Sequence, residues 1–155
     1  MKFRLSFTLS ILLASFLFFS ACKKQEDAIN YDTIDREKIQ EYIKDHNLDA
    51  DSTSSGLYYV IEKTGIGQTP SLYSNVKIRY KGYLLSGKIF DEAKSPATLN
   101  LSQVIKGWQE GIPKFKEGGE GLLLIPSKLG YGGQANGSIP ANSVLIFEIK
   151  LEEVL

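Results

Sequence analysis

At 155 residues the chain has room for one folded domain and short attachments. Its 18 basic and 18 acidic side chains cancel, which argues against a nucleic-acid partner or a polybasic membrane surface. Eight Tyr and eight Phe in a 43% hydrophobic composition exclude a wholly disordered chain and supply a globular core.

The chain opens on "MKFR", a short basic start, then the apolar run "LSFTLSILLASFLFF", then "SAC". That is the layout of a secretory signal over residues 1–21, and the run is short for a membrane span. Cys22 is the sole cysteine, so no disulfide forms within the chain. Directly after small residues, it resembles the lipidated cysteine of a bacterial lipoprotein, with Phe19 where a leucine is usual. An ordinary cleaved signal followed by an unrelated cysteine is the alternative. Acyl chains contribute about 0.8 kcal/mol per buried CH₂, so acylation at Cys22 implies a membrane anchor. Residues 22–31, including "KKQEDAIN", read as a polar tether.

Residues 32–55 read as an amphipathic helix and a linker. Ile39, Tyr42 and Ile43 share a face in a helix expected over 33–47, with Asp32 or Thr33 as its N-cap. "DADSTSSG" is a polar linker ending at a domain boundary.

From Leu57 the period changes to two. "LYYVIEK" and "NVKIRYKGYL" alternate, the second setting Val76, Ile78 and Tyr80 against Lys77, Arg79 and Lys81. Ser86-Gly87 in "LLSGKIF" marks a hairpin turn. "VIKGWQEGIPKF" has helical spacing, with Val104, Ile105, Trp108 and Ile112 on one face. Gly107, Gly111 and Pro113 confine that helix to about two turns, a length that is marginal in isolation. "GLLLIP" is a short strand, and "SVLIFEIKLEEVL" turns Leu145, Phe147, Ile149 and Leu151 inward. The pattern predicts an α+β fold over 56–155, a curved antiparallel sheet wrapped around one short helix, with the amphipathic helix ahead of it. "PSKLGYGGQANGSIPANS" is too long for a bare connection and predicts a functional loop.

Much chemistry is missing from these residues. His46, the only histidine, falls on the leading helix and reads as a solvated side chain. No Ser-His-Asp or Cys-His mechanism and no His- or Cys-based metal site is therefore expected in the β domain. "GYGGQANG" neither opens a helix after a strand nor leads into Gly-Lys-Ser/Thr, so it is a poor phosphate cradle. What remains is binding, or a reaction that needs no nucleophile.

"VKIRYKGYLLSGKIFDEA", "QVIKGWQEGI", "IPSKLGYG" and "IPANSVLIFEIKLEEV" follow one another in an order that resembles the FKBP-type peptidyl-prolyl cis-trans isomerases. With the signal and leading helix, the layout is similar to Bacteroidetes envelope members of that family. The resemblance implies a groove between sheet and helix that receives a proline ring. Trp108, which alone would read as core, becomes its floor, and Gly107 is expected to let backbone and indole approach. Tyr80, Phe90 and Phe147 are implied as walls, continued by Val104 and Ile105, with Ile139 closing the groove from the long loop. The Ile105 N–H and the Tyr131 hydroxyl are implied donors to two substrate carbonyls. Asp91 matches the family's buried-side carboxylate, though "FDEA" alone also suits a turn aspartate. Asp91, Tyr131 and Tyr80 are thus the implied catalytic set.

No cofactor is implied. Implied partners are proline-containing polypeptides and macrolide ligands, with the membrane reached through the lipid anchor. The implied location is the cell envelope, at the outer membrane on its periplasmic face or the cell surface. Ala97 and Leu99 stand where many members have phenylalanine, and Lys94 is the nearest substitute for an arginine that some members place near the aspartate. The competing reading is a non-catalytic binding or chaperone module with the same groove. The leading helix further suggests a homodimer contact or an envelope docking site.

Overall fold

The computed structural model describes residues 29–155. The expected signal, Cys22 and most of the tether lie outside the described residues. Among the described residues, no helix is long and apolar enough to cross a membrane.

Strands β1 (Asp51–Ser52), β2 (Tyr58–Lys63), β3 (Asn75–Leu84), β4 (Ile89–Asn100), β5 (Glu120–Ile125) and β6 (Leu145–Val154) form one sheet. Their order is β1-β2-β5-β6-β3-β4, every neighbouring pair antiparallel. The sheet is open and curved, and a short helix, α2 (Lys106–Gly111), packs on one face, as the alternation predicts. Leu145, Phe147, Ile149 and Leu151 of β6 and Val76 and Ile78 of β3 turn toward that helix. They meet Trp108, Ile112 and Phe115, all buried. Each such aliphatic or aromatic burial contributes about 1.5–3 kcal/mol, and this is what sustains a helix too short to stand alone.

The two glycines of α2 have a physical reason. Gly107 and Gly111 lie one turn apart on the side facing β5, where a Cβ would run into the side chains of Ile125 and Leu123 respectively. Their bareness presses the helix onto the strand. The expectation that Gly107 makes room for the indole is corrected accordingly.

The opposite face of the sheet carries a second core. Val60, Leu122, Leu124, Val144 and Ile146 point there and are covered by the leading helix, α1 (Tyr31–Asp45), through fully buried Ile39 and half-buried Tyr42 and Ile43. This helix begins and ends two residues earlier than the 33–47 expected. Asn30 is the N-cap, its side chain accepting from the N–H groups of Asp32 and Thr33 at 3.1 and 3.4 Å. Asn caps as well as Asp does, which displaces Asp32 into the first turn. At the other end Asn47 takes a left-handed φ of 50°. The Leu48 N–H reaches the Ile43 carbonyl and the Asn47 N–H reaches Lys44, a Schellman closure.

The stretch read as a polar linker is structured throughout. Asp51 and Ser52 pair with Tyr59 and Tyr58. Ser55 Oγ donates to Glu110 on α2 at 2.8 Å, and the Gly56 N–H closes a turn onto Thr53. β4 too escaped the sequence pattern. Its register shifts between Ala97 and Ala93, so 94–96 form an irregularity around Pro96. Pro is tolerated there because β4 is an edge strand with no outer ladder to complete.

Candidate active site

β3, β4, β6 and α2 assemble an aromatic cluster on the α2 side of the sheet. Trp108 lies at its base, 4% exposed. Tyr80 meets it edge-on, ring centroids 5.0 Å apart at 86°, and Phe147 does the same at 5.1 Å and 79°. Phe90 completes the group by meeting Phe147 at 5.4 Å and 84°. Such T-shaped pairs are worth about 0.5–1.5 kcal/mol each beyond their burial, so the rings hold a defined arrangement.

The ladder explains why these side chains converge. Gly82 stands opposite both Asp91 on β4 and Phe147 on β6. A Cβ on Gly82 would collide with the rings of Phe90 and Phe147, so glycine in mid-strand opens the space they occupy. The register shifts again between Gly82 and Tyr83, leaving Phe90 as an extra residue on β4. That bulge lets Phe90 and Asp91, adjacent in sequence, both serve the aromatic side.

Tyr80 donates its hydroxyl to Asp91 Oδ2 at 2.8 Å. Burial first, then this bond, pushes the Tyr80 phenol up to about 12 from 10.0. The hydroxyl therefore stays protonated, and a donor, across the physiological range. Asp91 was expected on the buried side but is exposed. It reaches the ring cluster from solvent. Lys94 does not replace the missing arginine, because its Nζ lies 3.6 Å from Glu92 and its side chain is 82% exposed.

Val104 and Ile105 are half-buried against the same core. Gln109 holds their segment by donating from Nε2 to the Val104 carbonyl at 2.9 Å. Ile105 is the N-cap of α2, and its carbonyl accepts from Trp108 and Gln109. Its own N–H precedes the first turn, where a helix has no acceptor for it. Ile139 comes in from the long loop, 5% exposed, pinned by two backbone bonds with Asn136 at 2.9 Å. Tyr131 sits farther out, 37% exposed. The structure thus gathers Tyr80, Phe90, Val104, Ile105, Trp108, Ile139 and Phe147 into one apolar cluster. Asp91 and Tyr131 stand at its rim.

A cavity of about 550 Å³ opens elsewhere, on the α1 side, among Tyr42, His46, Lys81, Tyr83, Glu92 and Glu148. Lys81 and Glu148 pair across it at 2.8 Å, and His46 stacks on Tyr42 with centroids 3.8 Å apart. A charged lining suits a proline ring poorly. Gly82 is the site residue that sequence reasoning missed. A lone glycine amid the alternation of "RYKGYL" was its available signal.

Residues 67–152 match the family model described as FKBP-type peptidyl-prolyl cis-trans isomerase. The chain belongs to this family. Among relatives, the FKBP-type peptidyl-prolyl cis-trans isomerase FkpA of Aeromonas hydrophila is 46% identical over 64% of this chain and 38% of its own length. FkpA of Escherichia coli is 35% identical over 85% of this chain and 49% of its own. The chain therefore spans less than half of these FKBP-type relatives. A solved peptidyl-prolyl cis-trans isomerase from Pseudomonas syringae pv. tomato superposes with a TM-score of 0.72 at 29% identity, covering 80% of this chain and 92% of that one. An alignment over 85% of the chain has to include α1, so the likeness to the Escherichia coli protein extends beyond the FKBP core.

Proposed function

We propose that this protein catalyses cis-trans isomerisation of X–Pro bonds in polypeptides exported to the cell envelope. The observation that carries the reading is an aromatic cluster floored by Trp108, with the Asp91 carboxylate and the Tyr131 hydroxyl at its rim. X–Pro isomerisation faces a barrier of about 18–20 kcal/mol and takes tens of seconds or more unaided. The barrier is loss of amide resonance, so the twisted state is less charge-separated than the planar one. Removing water from the imide against Trp108, Phe147 and Phe90 disfavours the planar state more, and the barrier falls. Each 1.36 kcal/mol of that difference is worth about tenfold in rate. No proton changes hands.

In this reading the proline ring rests on Trp108, the Ile105 N–H and the Tyr131 hydroxyl hold the flanking carbonyls, and Ile139 shields the ring from the loop side. Asp91 orients Tyr80 through their hydrogen bond. A proline-limited refolding assay with the full chain tests the activity, and a rate unchanged by the protein overturns it. Asp91→Leu and Tyr131→Phe should each lower turnover about fivefold to tenfold, the worth of one hydrogen bond. Wild-type kinetics in both would remove their assignments. Macrolides, which present a comparable ring and carbonyl pair, should compete with peptide for the same groove.

Lipidation of Cys22 supplies the anchor in this proposal, supported by the signal-like run before it. Metabolic labelling with an alkyne fatty acid should tag the wild type and not Cys22→Ser. Dimerisation through α1 has less support, because Ile39, Tyr42 and Ile43 cover this chain's own sheet.

A further inference from the structure

A buried carboxylate on α1, outside the groove, touches the base of the loop that bears Tyr131. Asp35 is 1% exposed and Ser127 is 3% exposed. Asp35 Oδ2 accepts from both the Ser127 backbone N–H at 2.8 Å and its Oγ at 2.6 Å. The Ser127 carbonyl in turn accepts from Gly130 at 2.9 Å and from Gly132 at 2.8 Å, the two residues that flank Tyr131. Gly132 adopts a φ of 60°, and its carbonyl accepts from Asn142 at the far end of the loop. Asp32 adds an exposed ion pair to Lys128 at 2.9 Å.

One chain of contacts therefore runs from α1 through Ser127 to the backbone on both sides of Tyr131. We propose that Asp35 is a positioning residue, and that α1 thereby fixes where the Tyr131 hydroxyl stands over the groove. This rests on the assignment of Tyr131 as a donor to substrate.

The physical case is one of placement. Asp35 Oδ1 has no partner among the described residues, so the carboxylate is not an ideal stabiliser of the fold. An unsatisfied buried oxygen is unfavourable, and an apolar residue in its place would exchange that penalty for two unpaired donors on buried Ser127. What an apolar residue cannot do is hold the N–H and hydroxyl of Ser127 together. Tyr131 itself is 37% exposed, and a half-free side chain is placed mainly by its backbone. Without Asp35 the turn loses the anchor on one side of Ser127, and its two glycine bonds on the other side open more readily.

The test uses the full chain in five forms: wild type, Asp35→Ala, Tyr131→Phe, the double variant of these two, and Asp35→Asn as the conservative replacement. In Asp35→Ala, amide exchange at Gly130 and Gly132 should rise about tenfold, the loss of roughly one hydrogen bond, while sheet amides at Leu123 and Ile146 hold their protection. Turnover should fall about fivefold in the Tyr131 background and not at all in Tyr131→Phe, since coupled residues give non-additive effects. Asp35→Asn, which keeps the accepting oxygen, should restore both readouts. General destabilisation would instead lower turnover equally in both backgrounds and raise exchange throughout the sheet.

Unchanged exchange at Gly130 and Gly132, or equal losses of turnover, overturns the proposal. If wild type shows no isomerase activity, the functional reading falls and the exchange data still decide whether Asp35 holds the turn. Should Asp35→Ala not fold, Ser127→Ala removes the Oγ bond alone and carries the same test.

Discussion

Trp108 is 4% exposed, and its indole N–H has no acceptor among the described residues. Its contribution is therefore shape and area rather than hydrogen bonding. Trp108→Leu should destabilise the protein by about 2–4 kcal/mol, the range for large-to-small core changes, and should weaken peptide binding as well. Because it is the only tryptophan, its fluorescence reports the groove directly. Titration with a proline peptide should shift or quench the emission, and a flat titration would place the peptide elsewhere. Tyr80 makes a second prediction at this scale. Its phenol is raised to about 12, so between about pH 10 and 12 the unfolded chain loses a proton that the folded one keeps. The stability this shift contributes is intact below pH 10 and is lost as pH climbs through that window. Burial followed by a bond with Tyr42 raises Tyr83 as well, so Tyr80→Phe should remove part of the alkaline loss rather than all of it. Thermal melts from pH 9 to 12 would show it, and identical curves for the two proteins would refute the cause. Residues of this kind differ in how far sequence exposes them. Trp108 and Phe147 were legible because helical and alternating periods put them on the inner face. Asp35 was not, since its partner lies 92 positions away and a charged helix residue normally reads as solvated.

Among the elements, α2 shows two magnitudes in competition. Replacing a helical glycine by alanine gains about 1 kcal/mol in propensity. At Gly107, however, the new Cβ would meet Ile125 on β5, and at Gly111 it would meet Leu123. Overpacking a fixed helix-sheet contact costs about 1–3 kcal/mol, so the clash outweighs the propensity. Both Gly107→Ala and Gly111→Ala should lower the denaturant midpoint, and a raised midpoint in either would mean that the contact yields freely. The strands differ in legibility for an equally local reason. β3 and β6 keep a clean period of two on the inner face. β4 does not, because the irregularity at 94–96 and the bulge at Phe90 break its alternation while aiming Phe90 and Asp91 toward the rings. The features that hide β4 from a pattern search are the ones that build the groove. "GLLLI" in β5 carried a further signal, since an unbroken apolar run in a strand implies cover on both faces.

For the whole molecule, that two-sided burial decides whether α1 is an accessory or a part of the fold. Leu122, Leu124, Ile146 and Val60 would form an exposed apolar patch if α1 were absent, and Ile39 at their centre is fully buried. β1 and the Thr53–Ser55–Glu110 contacts continue the same chain into the sheet edge and onto α2. The residues ahead of the family match at 67–152 are thus bound to the domain through α1 on the sheet, through β2 on β5 and through Ser55 on Glu110. The expected outcome is a single cooperative unit. Ile39→Ala should lower stability by about 2–4 kcal/mol, and Trp108 fluorescence should report the loss although the two side chains lie on opposite faces of the sheet. Far-ultraviolet ellipticity, to which α1 contributes most of the helical signal, should change at the same denaturant concentration. A helix serving only as a spacer would give a different result: its ellipticity would melt first, and the Trp108 transition would stay where it was.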